Sequence, residues 1–218
     1  MQNQFFYREF YRRNLPHYQP GNGIFFITTC LAKALSTKII SELKQRKIDF
    51  QNMIKKVSEN QKIFVLKEFH RSYFRDFESF IHSQSKKDWL IRTSIQQVIK
   101  ENLLFWDGVR YKLIAFCIMP NHLHLMIKPF QKGKHMYESL SKIMFTMKSF
   151  TANECNKILD RSGQFWLHES YDHYIRNFKD YEYHLKYLLE NPVKSNLVNK
   201  WKDWNGNWLY KDWDKIEI

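Results

Sequence analysis

MPNHLHLMIKP, residues 119–129, sets two histidines one leucine apart within an otherwise apolar run. Residues 111–119, YKLIAFCIM, are apolar and rich in strand formers, and Pro120-Asn121 makes a turn. His122 onward then reads as the returning strand of an antiparallel hairpin. Residues i and i+2 of a strand share a face, so His122 and His124 project together while Leu123 and Leu125 face the core. Two imidazoles held side by side are good ligands for Mn²⁺, Zn²⁺ or Co²⁺, with coordination positions left for substrate oxygens. The same spacing also fits two surface histidines on the polar side of an amphipathic strand.

Outward from the hairpin, the chain alternates strands and helices. IFFITTCL, residues 24–31, is apolar enough for a central, covered strand. Residues 36–60 carry Ile40, Leu43, Ile54 and Val57 at helical spacing, and 63–69 fit either a strand or a helix. Ile91, Ile95, Val98 and Ile99 predict a helix over 88–106, with Gly108 as its terminal cap. Leu140, Ile143, Met144 and Met147 predict another over 136–159. A last strand is read in 165–175. A helix over 181–190 is expected to stop at Pro192, which would open a short helix of its own. With no repeat, linker or low-complexity segment, the expectation is one α+β domain over 1–218, an antiparallel sheet flanked by helices. It divides into a basic N-terminal arm (1–22), a core (23–198) and a tryptophan-rich tail (199–218).

Composition narrows the partners. Thirty-five Lys+Arg against 22 Asp+Glu give a net charge of +13, which favours a polyanion, nucleic acid first. No run approaches the roughly 18 apolar residues of a membrane span. The N-terminus lacks the apolar region of a secretory signal, so the expected location is cytoplasmic and no membrane partner is implied. Cys30, Cys117 and Cys155 are widely spaced and read as reduced thiols.

The second chemical signal is YLLENPVKSNLV, residues 187–198, where Tyr187 and Asn191 lie four apart on one helical face. Beside a metal-bound phosphate, a tyrosine hydroxyl can attack phosphorus, and an asparagine amide oxygen can complete a metal shell. Alternatively, Asn191 is an N-cap for the helix after Pro192, and Tyr187 an ordinary core aromatic like Tyr181 or Tyr183. His168 and His173 could join the histidine pair or be structural. No further histidine or carboxylate stands at a telling spacing. For nucleic acid, the candidate phosphate contacts are Arg8, Arg12 and Arg13 among the N-terminal aromatics, with Lys142, Lys148 and Lys194.

Taken together, HLHLMI resembles the His-hydrophobic-His motif of HUH-class nucleases. YLLENPVKSNLV resembles the Tyr-x-x-x-Asn-Pro-Val-Lys/Arg segment of the REP-associated tyrosine transposases, relatives of the single-tyrosine insertion-sequence transposases. NLPHYQPGNGIFFITTCL, MPNHLHLMIKP, KSFTANECN and WLHESYDHYIR fall in family order, so the likeness runs from about residue 14 to residue 198. It implies a ferredoxin-like variant of the HUH endonuclease fold. It implies cleavage and rejoining of single-stranded DNA beside a hairpin through a 5′-phosphotyrosine. By the same likeness His122, His124 and Asn191 are ligands of Mg²⁺ or Mn²⁺ and Tyr187 is the nucleophile; the site can assemble within one chain, which slightly favours a monomer over a homodimer. Two features depart from the pattern. The tail reads WKDWNGNWLY where a Trp-Ser-Ser-type stretch is usual, and residues 41–85 exceed what a minimal member needs. Other classes consistent with these residues are a domesticated hairpin-binding protein without cleavage and an unrelated metal-dependent hydrolase.

Overall fold

The computed structural model describes residues 10–12, 16–18, 22–32, 34–84, 88–133 and 136–213. A short hairpin of β1 (Phe10–Arg12) and β2 (Pro16–Tyr18) precedes β3 (Ile24–Cys30). Helices α1 (Thr37–Ile54), α2 (Glu59–Gln84) and α3 (Thr93–Phe105) follow, then the hairpin β4 (Tyr111–Ile118) and β5 (His122–Pro129). A small ladder, β6 (Gln131–Gly133) and β7 (Met136–Tyr137), leads into α4 (Leu140–Ile158). The chain continues through β8 (Tyr171–Ile175) and α5 (Phe178–Lys194) to β9 (Asn207–Leu209).

Five strands form one antiparallel sheet in the order β8-β3-β5-β4-β9, which is the expected α+β class. All seven residues of β3 are buried, as the apolar run IFFITTC requires of a strand with neighbours on both edges and cover on both faces. One face packs Phe25, Ile27, Phe116, Leu123, Leu125 and Ile127 against α3, α4 and the inner side of α1 and α2. The other packs Phe26, Ala115, Cys117 and Met126 against Tyr181, Leu185, Leu188 and Leu189 of α5. The histidine pair therefore sits on the central strand, in register with Cys30, Thr28 and Cys117, under α5. His122 and His124 are 1% and 0% exposed, which overturns the reading of them as surface residues on a polar strand face.

Local rules account for the element ends. Ser36 Oγ accepts from the Ile39 amide at the start of α1. At the start of α5 two side chains share the capping. Asn177 Oδ1 accepts from the Asp180 amide, and Asp180 Oδ2 accepts from the Arg176 amide. The C-cap of α3 is Trp106 rather than the expected Gly108, which takes a left-handed φ of 77° in the turn beyond, its amide donating to the Tyr111 carbonyl. Residues 63–69 resolve as helix, inside α2. The last strand is shorter than read: Trp166 makes only an isolated bridge to Leu31, and regular pairing starts at Tyr171.

Pro192 neither stops α5 nor opens a new helix. It falls in the last turn, where its missing amide costs one bond and the helix ends two residues later at Lys194. Asn196 then takes a left-handed φ of 56°. In the tail, β9 extends the sheet beside β4. The approach is tight at Gly206, where a Cβ would lie 2.4 Å from the Ile118 carbonyl oxygen.

Candidate active site and nucleic-acid interface

The site is built on β5. The His122 Nδ1–H donates to Asn121 Oδ1 at 2.5 Å, and His124 Nδ1 pairs with Thr28 Oγ1 at 2.9 Å. Asn121 is itself fixed, its Nδ2 donating to the Ile81 carbonyl of α2 at 2.9 Å. With both Nδ1 atoms engaged outward, the two Nε2 atoms face each other 3.1 Å apart. That is close to the separation of two ligand atoms on one small cation with bonds of about 2.0–2.1 Å. Thr28 thus holds a ligand's orientation from behind, so Thr28→Val, which keeps the shape and removes the hydroxyl, is expected to weaken Mn²⁺ affinity by about 10–100-fold in calorimetry.

Helix α5 lays Tyr187 and Asn191 over this pair, as their four-residue spacing predicted. Asn191 is buried in the last turn of α5, and no helix starts directly after it, so it is not an N-cap; its Nδ2 donates to His124 Nε2 at 2.9 Å. A half-turn of the amide would present Oδ1 at the same point, and Oδ1 is buried without a hydrogen-bond partner. The Tyr187 ring packs edge-on to His124 at 5.6 Å and to Phe26 and Phe74 at 6.1 and 5.8 Å.

A fifth residue, absent from the sequence reading, completes the cluster. Glu78 of α2 is 5% exposed, and its Oε2 accepts from the Tyr187 hydroxyl at 2.7 Å. The same oxygen lies 3.6 Å from His124 Nε2 and 3.7 Å from His82 Nε2. Glu78, His122 and His124 form a carboxylate–imidazole group able to hold a metal ion. No sequence spacing marks this carboxylate: it comes from α2, within the 41–85 segment, and meets the histidines only in the fold.

The donor set fits a divalent cation. Glu78 Oε1 and Asn191 Oδ1 are buried oxygens with no partner, a costly arrangement unless something binds them. Both imidazoles are kept neutral, the form that ligates. Burial, followed by His124 and His82, holds His122 well below the ordinary histidine range. Burial pulls His124 down to about 4, against the opposing pull of Glu78. For Glu78, burial works upward, but His124 and the donors on His82 and Tyr187 outweigh it and keep the carboxyl below its ordinary range. Burial, then the Glu78 charge, pushes the Tyr187 phenol well up, so the hydroxyl is protonated in this arrangement.

Depressed histidines set a pH dependence for the metal-free fold. Above pH 6.5 folded and unfolded chains are both neutral at these rings and the stability is complete. As pH falls from 6.5 towards about 4, the unfolded chain takes up protons the fold refuses, and stability declines. With chelator present, the urea midpoint is expected to drop between neutral pH and about pH 5.

The cationic candidates divide. Lys194 holds its Nζ 4.9 Å from the Tyr187 ring centroid, at the mouth of the site, and is exposed. Lys142 is exposed near the start of α4. Lys148 instead donates to the carbonyls of Leu167, His168 and Glu169 at 2.8, 3.1 and 3.2 Å, tying that segment to α4. Arg8 and Arg13 lie outside the described residues, as does the Arg12 side chain, whose backbone is in β1. His168 is exposed and His173 sits in a different cluster, so neither joins the pair. Among the described residues, no helix is long and apolar enough to cross a membrane.

The fold is an antiparallel sheet with a central histidine strand, covered on one face by a tyrosine-bearing helix. No family model matches the chain. Two bacterial proteins do. One, from Haemophilus influenzae and provisionally named a REP-associated tyrosine transposase, is 30% identical over 110 residues, 47% of this chain and 61% of that protein. The other, the REP-associated tyrosine transposase of Escherichia coli K12, is 25% identical over 149 residues, 67% of this chain and 85% of its own length. A solved structure of a REP-associated tyrosine transposase bound to a REP hairpin shares the fold, with a TM-score of 0.54 and 18% identity over 90% of this chain and 80% of that one. The chain is thus similar to REP-associated tyrosine transposases, whose motifs its own resemble.

Proposed function

We propose that the protein is a transposase-type enzyme that cleaves and rejoins single-stranded DNA next to a hairpin, with Tyr187 as the attacking group. One observation carries this reading: Tyr187 and Asn191, far from His122 and His124 in sequence, meet them in one buried cluster within one chain. The names of the relatives support the transposase class, and the hairpin bound by the structural neighbour supports the substrate.

His122, His124, Glu78 and the Asn191 amide oxygen would hold a divalent ion, Mg²⁺ or Mn²⁺. Such an ion, when bound, supplies positive charge to the scissile phosphate. The rest falls to the chain. Tyr187 Oη attacks phosphorus, its proton passing to Glu78 Oε2, which already accepts its hydrogen bond at 2.7 Å. The bond from phosphorus to the 3′-oxygen breaks, and that oxygen leaves as a hydroxyl after taking up a proton. The 5′-phosphate remains on Tyr187. Attack by another 3′-hydroxyl reverses these steps and rejoins DNA with no external energy source. Lys194 stands where it can contact the phosphate, and Lys142, Arg8, Arg12 and Arg13 would track the backbone of the strand. Lys148, engaged with three carbonyls, positions the 167–169 segment in this reading.

The rest of the reading is a single cytoplasmic domain acting as a monomer, with the 23–198 core flanked by the basic arm and the tryptophan-rich tail. Tyr187 reaching the histidines of its own chain supports the monomer. The carboxylate from α2 also gives a metal-dependent hydrolase what the sequence lacked, and dependence on Tyr187 separates the two. The test is to incubate labelled single-stranded hairpins from either side of the gene with the protein and Mn²⁺, then run a denaturing gel. A covalent adduct is expected. Cleavage without an adduct would favour the hydrolase, and tight binding with neither would favour a hairpin-binding protein.

A further inference from the structure

A second cluster of ligating side chains lies beyond the Phe26 ring, which packs on His124 at 5.3 Å on one side and on His184 at 5.1 Å on the other. It consists of His173 on β8 with Asp180 and His184 on α5. We propose that these three side chains form a second cation site, selective for a late first-row transition ion such as Zn²⁺, that fastens β8 to the tyrosine helix.

The geometry supports this in three ways. The Asp180 carboxylate is oriented by the Arg176 amide, which donates to Oδ2 at 3.1 Å and leaves Oδ1 beside His184 and both oxygens beside His173. His173 Nε2 lies 3.0 and 3.3 Å from the two carboxylate oxygens, and His184 Nδ1 lies 3.1 Å from Oδ1. These separations match the ligand–ligand edges of a tetrahedral site with bonds of about 2.0–2.1 Å. Finally, the side chains are 12%, 21% and 8% exposed, enclosed enough to be held and open enough for an ion and a water to enter.

Two imidazoles and one carboxylate suit Zn²⁺, Co²⁺, Ni²⁺ or Cu²⁺ and disfavour Mg²⁺ or Ca²⁺, which want oxygen shells. Without an ion the same atoms close on one another. His173 Nε2–H donates to Asp180, and His184 Nδ1–H donates to the Asp180 main-chain carbonyl at 2.8 Å. Loading an ion at those nitrogens requires each ring to carry its proton on its other nitrogen instead, a change of tautomer with no net loss of a proton. Arg176 is the nearby cation that works against it, and burial, the larger effect, keeps His173 in the neutral form that ligates. Because His184 lies one turn before Tyr187 and two before Asn191, an ion here would pin the helix that carries both.

The proposal does not depend on the nuclease reading. Its test uses the full chain without an affinity tag, carrying His122→Ala and His124→Ala to silence the first cluster. Calorimetry with Zn²⁺ and visible absorption with Co²⁺ are expected to show one ion per chain, and Zn²⁺ should raise the melting temperature. Adding His173→Gln, which can still donate to Asp180, is expected to weaken Zn²⁺ binding by about tenfold or more and to erase the melting shift. Asp180→Asn, which keeps an acceptor for the helix cap, should do the same. If the silenced protein fails to fold, His173→Gln in the native chain should lower Zn²⁺ stoichiometry from two to one. Absence of Zn²⁺ from the silenced protein, or equal binding by the His173 and Asp180 variants, would overturn the site and leave a hydrogen-bonded clasp.

Discussion

Replacing Tyr187 by Phe is expected to lower DNA strand cleavage by about 10⁴-fold or more and to leave no covalent adduct, while hairpin binding stays close to that of the native chain. Only the hydroxyl is lost, and the ring keeps its packing on Phe26, Phe74 and His124. The change also has a structural signature. Glu78 Oε2 loses the donor it holds at 2.7 Å, and a buried carboxylate left short of a hydrogen bond costs about 1–3 kcal/mol. A modest fall in melting temperature should therefore accompany the loss of cleavage. Mn²⁺ should offset it by giving that oxygen another partner. Adduct formation and DNA affinity, measured on the same preparation, separate loss of the nucleophile from loss of the fold.

Removing His122 and His124 together should have the second largest effect. Both Nε2 atoms point into the cluster with their Nδ1 atoms tied off, and His124 Nε2 accepts from the Asn191 amide, so the inward nitrogens belong to this site. Alanine at both positions is expected to abolish high-affinity Mn²⁺ binding at this cluster and to lower cleavage by about 10³-fold or more. Manganese paramagnetic resonance on the free protein reads the first effect without reference to activity. The variant also empties a volume beneath α5 on the central strand, which costs stability through the cavity. It relieves the charge penalty at low pH as well. The urea midpoint of the double variant should thus be lower at neutral pH and flatter between pH 6.5 and about 4, where the unfolded native sequence protonates His124 and the fold does not.

How much of this could be read from the chain depends on whether the signal was local. The β4–β5 hairpin was legible because apolar runs bracket a Pro-Asn turn, and the shared face of His122 and His124 follows from the strand period alone. Tyr187 and Asn191 were legible because a four-residue spacing fixes a helical face. Glu78 was not. It sits in FRDFESF beside Phe77, which faces the core, and on the same face as Phe74, which meets Tyr187. Its role depends on where α2 crosses the sheet, a tertiary fact with no spacing signature. The one trace was a carboxylate flanked by Phe77 and Phe80 in the helical register of an apolar stripe.

Pro192 misled for a different reason. A proline penalises a helix through the missing amide and the clash with the carbonyl four residues earlier, but in a final turn packed over the sheet the tertiary contacts of Leu188, Leu189 and Asn191 prevail. That extra turn is what keeps Asn191 helical and directed at His124. Strand β9 escaped notice because WNGNWLY has polar residues where a strand pattern needs alternation. Its pairing rests on Gly206 allowing the backbone against Ile118.

The most direct measurement of the central claim is the position of the DNA on the protein. Adduct formed with a labelled single-stranded hairpin and Mn²⁺ would be digested with nuclease and protease and its peptides sequenced by mass spectrometry. A nucleotide phosphate on Tyr187, with a free 3′-hydroxyl on the released strand, is the predicted result. A nucleotide on the exposed Tyr183 instead, or strand cleavage that proceeds with no modified tyrosine, would contradict it.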